Sequence, residues 1–344
     1  SPPFDVVQDR LYDEPMIIRQ QINYSNTYSD IVYMVGRFHN TMMMWHNLFD
    51  FIIPLYNAII TIEGHFEPSN RTILLRDSQD VIHWEFIQTL SINPIRNVKN
   101  VPDSFFFSRL VVGLPKFEKN PDEFRGVSDM ASFKYEFDSN VSIGLREVVM
   151  KGFGIPVQQI NHLNPVIVYD SRDGSQRDIT NCEEVLNIIQ RTCPFCKVEK
   201  VKFHLLSPRM QIEVVSRASV LFGLHGSGLT HTLWLPRSTE RYKSVLIEVL
   251  PYMYWCRDWY EVAAKVAGVQ YFSIMNKNRI IPSNEQKKYK YCTGSKSRCL
   301  HIECNDILKD QHFPLELEVF NETWTEVLEI LQSNRRNYQS QINT

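Results

Sequence analysis

The stretch VLFGLHGSGLTHTLWLP, Val220 to Pro236, begins as an unbroken apolar run, breaks into His-Gly-Ser-Gly, and turns apolar again. Only 13 glycines occur among 344 residues, yet Gly226 and Gly228 stand two apart directly behind that run. A strand covered on both faces reads as continuous apolar sequence. Glycine behind it lets the backbone approach a ligand closely. Strand, glycine turn and helix in that order describe the carboxyl edge of a parallel α/β sheet, where such sheets bind ligands. N–H groups exposed there, backed by the helix dipole, favour an anion and above all a phosphate. The competing reading is a tight strand–helix turn in which His225 and His231 are simply hydrogen-bonded, and spacing alone does not separate the two. The turn lacks the third glycine and the following acidic residue of a dinucleotide site, which counts against a nicotinamide-dependent oxidoreductase.

The alternation continues on both sides. PVIVYD (165–170) reads as a buried strand. TNCEEVLNIIQR reads as a helix, with Thr180 and Glu183 at capping-box spacing and Val185, Leu186, Ile188 and Ile189 as its apolar face. VEKVKFHLL is strand-like, and SPRMQIEVVSRA is a helix with Ser207 as N-cap and Pro208 at its first position. SVLIEVL, WYEVAAKVAG and VQYFSI add strand, helix and strand. This pattern predicts a doubly wound, parallel, Rossmann-like unit.

The first half is less regular. DIVYMVGRF, RTILLRD and SFFFSRLVVGL read as strands, WHNLFDFIIPLYNAIITI as a long apolar helix interrupted by Pro54, and IHWEFIQTL as a short helix. The chain is longer than one core normally grows, so two units are expected. The join falls near residues 145–165, giving an N-terminal unit over 1–150 and a C-terminal unit over 151–310. The tail, 311–344, ends in a helix whose apolar face is Val319, Trp324, Val327, Leu328 and Leu331.

Several residues carry chemistry. Arg172 and Arg177 lie in DSRDGSQRDITN, behind another strand; two guanidinium groups there suit a diphosphate held by bidentate hydrogen bonds. Glu248 ends the next strand, where a carboxylate accepts from ribose hydroxyls. His46 and Asp50 are spaced i, i+4 on a helix and share a face, as a base and its orienter do. GRFH places Arg37 and His39 near the start of that helix. The bland alternatives are solvated arginines, a structural carboxylate and a helix-capping cluster. Trp45 and Tyr56 read equally as acceptor-stacking rings and as core.

Net charge is −2 with no run of one sign, which excludes a general nucleic-acid binder. No apolar run is long enough to span a bilayer. The chain opens on SPPFD and reads as a trimmed product, with any membrane anchor upstream. Seven cysteines include Cys193-x-x-Cys196, with Cys292, Cys299 and Cys304 clustered later. The C-x-x-C precedes a strand and has no second pair at zinc spacing, so disulfides in an oxidising compartment fit better than redox or metal chemistry, with one cysteine left over. Sequons at Asn23, Asn70, Asn140 and Asn321 are compatible with that compartment.

Taken together, VLFGLHGSGLTHTLWLP, SRDGSQRDITN and HNLFDFIIPLY resemble glycosyltransferase family 61, over roughly residues 31–335. The resemblance implies a GT-B fold, two Rossmann-like domains facing across a cleft, with the last helix crossing back onto the N-terminal domain. It implies an inverting enzyme that moves a sugar from a UDP-sugar to a glycan or protein hydroxyl with β-linkage. UDP-GlcNAc is the leading donor, with UDP-xylose transfer to an N-glycan core as the alternative and a non-catalytic nucleotide-sugar-binding relative behind it. Arg172, Arg177 and the turn His225, Gly226, Ser227 and Gly228 would hold the donor together with Glu248. The base would be His46 or Asp50, with His39 in reserve. No D-x-D carboxylate pair is present, so no metal is expected. The acceptor would be a glycan or glycoprotein, and the compartment the lumen of the endoplasmic reticulum or Golgi.

Overall fold

The computed structural model describes residues 16–18, 27–37, 43–67, 69–76, 84–100, 106–114, 138–156, 160–174, 177–255, 258–277, 286–294, 299 and 302–343. These fall into two compact units, one of residues 1–117 and 143–154, the other of residues 118–142 and 155–344. Both are mixed α/β with parallel sheets.

In the first unit, strands β1 (Met16–Ile18), β2 (Thr27–Val35), β3 (Thr72–Leu75), β4 (Arg96–Asn97) and β5 (Phe106–Val112) form one sheet in the order β1-β5-β2-β3-β4. Only β1 runs antiparallel. The chain leaves β2 and reaches helix α1 (Met44–Asn47), a π-turn over Leu48–Ile52, and helix α2 (Ile53–Glu63). Pro54 accounts for the π-turn. The widened bond runs from Ile53 N to Leu48 O, directly before Pro54, which has no N–H to carry the ladder on. Trp45 stacks on Phe49 with ring centroids 4.0 Å apart, and both are buried. Tyr56 is buried too, its hydroxyl pressed onto Gly144, where a Cβ would lie 2.3 Å away. Both aromatics are therefore core. Helix α3 (Trp84–Gln88) is where the sequence predicts it. Helix α4 (Ser139–Gly152) is not; its second half occupies residues read as part of a loop-rich join.

The second unit contains strands β6 (Val166–Asp170), β8 (Lys197–Val201), β9 (Val220–Leu224), β10 (Val245–Leu250) and β11 (Gln270–Met275) in one all-parallel sheet, ordered β11-β10-β9-β6-β8. A short pair, β7 (Asp178–Ile179) and β12 (His312–Phe313), lies apart. The chain moves outward from β6 to β8, then returns to the other side of β6 for β9. The boundary between β6 and β9 is thus the topological switch point, where open α/β sheets have their ligand crevice.

Every residue of β9 and β10 is buried, as their continuous apolar sequence requires. One face, with Tyr169, Phe222, Ile247 and Ile274, packs on helix α5 (Cys182–Thr192) and the C-terminal helix α10 (Leu317–Ile342). On the opposite face, helix α6 (Pro208–Ser216) and helix α7 (Trp259–Ala267) pack against a 3₁₀ helix over Ser227–Trp234. Ser207 caps α6 as its spacing predicts, accepting from Met210 N at 3.4 Å. Helix α5 begins one residue later than its capping-box spacing implies. Asn181 stands at its N-cap and bonds both polar groups of Leu315, and Glu183 turns to Lys200 instead.

Helix α10 is a departure from expectation. Phe320, Trp324, Val327 and Leu331 are buried in the second unit's own core. Each such side chain contributes about 1.5–3 kcal/mol by leaving water. Trp324 Nε1 donates to Thr192 Oγ1 at 2.7 Å, and Asn334 brackets Lys243 with two backbone bonds. The whole helix is thus tied to the unit that precedes it in sequence.

Cys193 pairs with Cys196 and Cys292, at the end of helix α8 (Gln286–Cys292), with Cys304 in helix α9 (Ile302–Lys309). Cys299 is also disulfide-bonded, while Cys256 lies outside the described residues. Among the described residues the leftover thiol is Cys182. Among them, too, no helix is long and apolar enough to cross a membrane.

Candidate functional site

The register of the second sheet brings the two loops singled out in the sequence to adjacent strand ends. Asp170, last residue of β6, stands beside Gly223 of β9, and Gly223 stands beside Glu248 of β10. The three lie in one row across the sheet, on the face opposite the α5 and α10 layer. Beyond Asp170 the chain carries Arg172 and Arg177; beyond Gly223 it enters the His225–Gly228 turn.

A side chain at either glycine of the turn would have to displace what lies against it. A Cβ on Gly226 would stand 2.2 Å from Arg172 Nη2, and one on Gly228 would stand 2.1 Å from Asp170 Oδ2. Gly223 is nearly as tight, 2.9 Å from Asp170 Cβ. The turn is therefore a cradle for the Asp170 carboxylate and the Arg172 guanidinium, directly at the switch point. Behind it the 3₁₀ helix starts at Ser227.

The crevice sets two guanidinium groups beside two carboxylates, Arg172 with Asp170 and Arg177 with Asp310. Arg172 Nε lies 3.6 Å from Asp170 Oδ2, beyond hydrogen-bond reach. Burial pushes the Asp170 carboxyl up to about 6, against the pull of Arg172 and Arg177. Arg177 is near Asp310, at 3.9 Å, and its guanidinium is lowered from its ordinary value first by burial and then by the charge of Arg172. Two guanidinium groups held side by side at a strand end, each only loosely engaged by its carboxylate, offer the bidentate donors that a diphosphate can take. Asp170 is the residue that sequence reading missed. Its signal is its place as the last residue of an apolar strand, two positions before Arg172.

His225 and Glu248 behave differently from the expectation. Glu248 is fully buried, and its two oxygens meet His225 Nδ1 and the Tyr271 hydroxyl, the latter at 2.6 Å. Burial pushes its carboxyl up to about 8. Both of its oxygens are thus engaged within the protein. His225 is buried as well, edge-on to Tyr254 at 4.9 Å and Tyr260 at 5.0 Å. The pair ties the base of the glycine turn to β10 and β11. His231 is likewise packed, its ring 4.4 Å from Phe203.

In the first unit, His46 Nδ1 and Asp50 Oδ2 are hydrogen-bonded across the turn from α1 to the π-turn. The side chains are 12% and 7% exposed, so the pair is shielded but not sealed. It sits on the helix that follows β2, which flanks this sheet's own switch point with β5. Arg37, just beyond β2, is buried. His39 lies outside the described residues. Among those described, no three His, Cys, Asp or Glu side chains converge as ligands for a metal ion.

Comparison with known proteins bears on the family of the chain. Curated relatives named EGF domain-specific O-linked N-acetylglucosamine transferase match from Drosophila melanogaster, at 27% identity over 121 residues, and from Gallus gallus, at 27% over 118. The matches cover 35% and 33% of this chain but only 21% and 20% of the relatives, so the chain spans about a fifth of their length. A Xenopus laevis relative of the same name matches at 28% over 112 residues, 32% of this chain and 20% of that one. The family model for Glycosyltransferase 61 matches residues 44–241, a span that holds His46, Asp50, Arg172, Arg177 and the whole glycine turn but ends before Glu248. With more than half of its length matched, the chain belongs to the glycosyltransferase 61 family.

Proposed function

We propose that this chain is an inverting glycosyltransferase that moves GlcNAc from UDP-GlcNAc to a hydroxyl of a glycan or glycoprotein, forming a β-linkage. The observation that carries the reading is the Arg172 guanidinium seated over Gly226 at the β6–β9 switch point, with Arg177 beside it. In this reading the two units are the Rossmann-like halves of a GT-B fold facing across a cleft. The second unit holds the donor, and the first brings the acceptor hydroxyl to His46.

The reaction is a single displacement. Asp50 holds His46 Nδ1, so Nε2 carries the ring's basic lone pair. His46 takes the acceptor proton as the acceptor oxygen bonds to C1 of the sugar. The bond from C1 to the β-phosphate oxygen breaks, and its electron pair leaves on UDP. Arg172, Arg177 and the N–H groups at the Gly226–Gly228 turn meet that developing charge. This places the positive charge the leaving group needs in the protein itself, and activity is expected to survive chelators. Glu248 acts through His225 as an anchor of the turn.

GlcNAc is preferred to xylose because the matched relatives are named for N-acetylglucosamine transfer. Disulfides such as Cys193–Cys196 and Cys292–Cys304 suit the oxidising lumen of the endoplasmic reticulum or Golgi. The test is proton NMR of donor turnover with an acceptor glycan, or with water in its place. The β anomer as first product supports the reading. An α anomer contradicts inversion, and UDP binding without turnover favours the non-catalytic relative.

A further inference from the structure

The first unit has a second concave feature that takes no part in the account above. A cavity of about 640 Å³ opens between the end of α2, helix α3 and the second half of α4. Its floor is set by close packing of α3 on α4. A Cβ on Gly152 would lie 2.6 Å from Thr89 Cγ2, and the Phe153 ring meets Phe86 edge-on at 5.4 Å.

Two features of the lining stand out. Trp84 is 49% exposed and Ile92 59% exposed, two of the seven large hydrophobic side chains left open among the described residues, and both face this one cavity. Around them stand three carboxylates, Glu67, Glu85 and Glu147, against one ammonium, Lys151. Glu147 has the Arg146 guanidinium as an electrostatic neighbour on α4, while Glu67 and Glu85 form no ion pair with a described residue. An exposed apolar patch with a polar rim marks a binding surface, and tryptophan is the side chain that most often anchors one. The indole face attracts cations better than any other side chain, and unpaired carboxylates beside it add charge-assisted hydrogen bonds.

We propose that this cavity docks a polypeptide segment that carries arginine or lysine beside an apolar residue. The cationic group lies over Trp84 within reach of the carboxylates, and the apolar neighbour covers Ile92. A neutral glycan would use the indole but gain nothing from the excess negative charge, so the lining favours the peptide. The proposal stands on the first unit alone and is independent of the donor reading.

The test is calorimetric titration of the full chain with three probes: Ac-Gly-Arg-Leu-Arg-Gly-NH2, the same peptide with glutamate for arginine, and chitotriose. The arginine peptide is expected to bind, to weaken at least tenfold in both Trp84→Ala and Glu85→Lys, and to weaken as salt rises. The glutamate peptide and chitotriose are expected not to bind there. Melting temperature and response to UDP should be unchanged in both variants; if either variant loses stability, Glu147→Lys, on the exposed side of α4, replaces it. Failure of the arginine peptide to bind, equal binding of the glutamate peptide, indifference to the variants, or Trp84-dependent binding of chitotriose alone would each overturn the proposal. None of these results depends on whether UDP binds.

Discussion

Arg172 Nε lies 3.6 Å from Asp170 Oδ2, and neither atom has a hydrogen-bond partner although both are buried. The two side chains fill the space that Cβ atoms at Gly226 and Gly228 would occupy. The spacing of the glycines is set by these two side chains, which belong to the end of β6 and the residues just after it, 54 and 58 residues earlier.

Alanine at either glycine therefore forces the cradle apart. Gly226→Ala displaces the Arg172 guanidinium, and Gly228→Ala displaces the Asp170 carboxylate. Each should cost about 1–3 kcal/mol of stability, the usual cost of overpacking. Each should also weaken UDP binding, while Gly64→Ala, far in sequence and with open space around it, should leave binding untouched. Parallel calorimetry of the three variants checks this.

The His46–Asp50 pair is expected to serve chemistry and not donor affinity. His46→Ala should lower kcat by roughly 10²–10⁴, the range for a lost general base. Asp50→Asn should lower it less, because the ring loses the charged partner that orients it. UDP binding should be the same in both variants and the parent. A loss of UDP binding in His46→Ala would remove the residue from the base role.

Glu248 should behave as an anchor. Glu248→Ala leaves His225 Nδ1 and the Tyr271 hydroxyl buried without their acceptor, which should cost about 3–5 kcal/mol in urea unfolding. Tyr271→Phe removes one neutral donor and should cost about 1 kcal/mol. Full stability of Glu248→Ala together with lost donor affinity would return the carboxylate to the ribose.

Asp170 makes stability depend on pH in a definite direction. Its carboxyl is raised from an ordinary 3.8 to about 6, so the folded state holds the proton more tightly than the unfolded chain. The stability this contributes is complete below about pH 4 and is lost as pH rises through 6. Asp170→Asn lacks that loss. Relative to the parent, the variant should therefore gain stability between pH 4.5 and pH 7 in denaturant titrations. A difference that does not move with pH would contradict the assignment.

How much of this was legible depends on whether the signal was local. The strands at 166–170, 220–224 and 245–250 could be read because burial on both faces makes them continuously apolar. The i, i+4 meeting of His46 and Asp50 followed from helical geometry, although the π-turn that Pro54 imposes between them did not. The packing of Asp170 under Gly228 was not legible. It depends on β9 returning to the side of β6 away from β8, and chain order does not state spatial order. The burial of Glu248 was hidden for the same reason, because its partners are His225, just past β9, and Tyr271 on β11, each 23 residues away. In α4, the glycines at 144 and 152 dilute the helical signal, and they are there to admit Tyr56 and Thr89.

The measurement that bears most directly on the donor site is the melting temperature with UDP, UDP-GlcNAc, UDP-xylose and NAD, with and without EDTA, for the parent and Arg172→Ala. A ligand that binds only the folded state stabilises it by about 2.7 kcal/mol at a concentration a hundredfold above Kd. The account predicts a rise of roughly 5 °C with UDP that survives EDTA, is largest for UDP-GlcNAc, and vanishes in Arg172→Ala. No response to any UDP compound, a response to NAD alone, or an unchanged response in Arg172→Ala would contradict it.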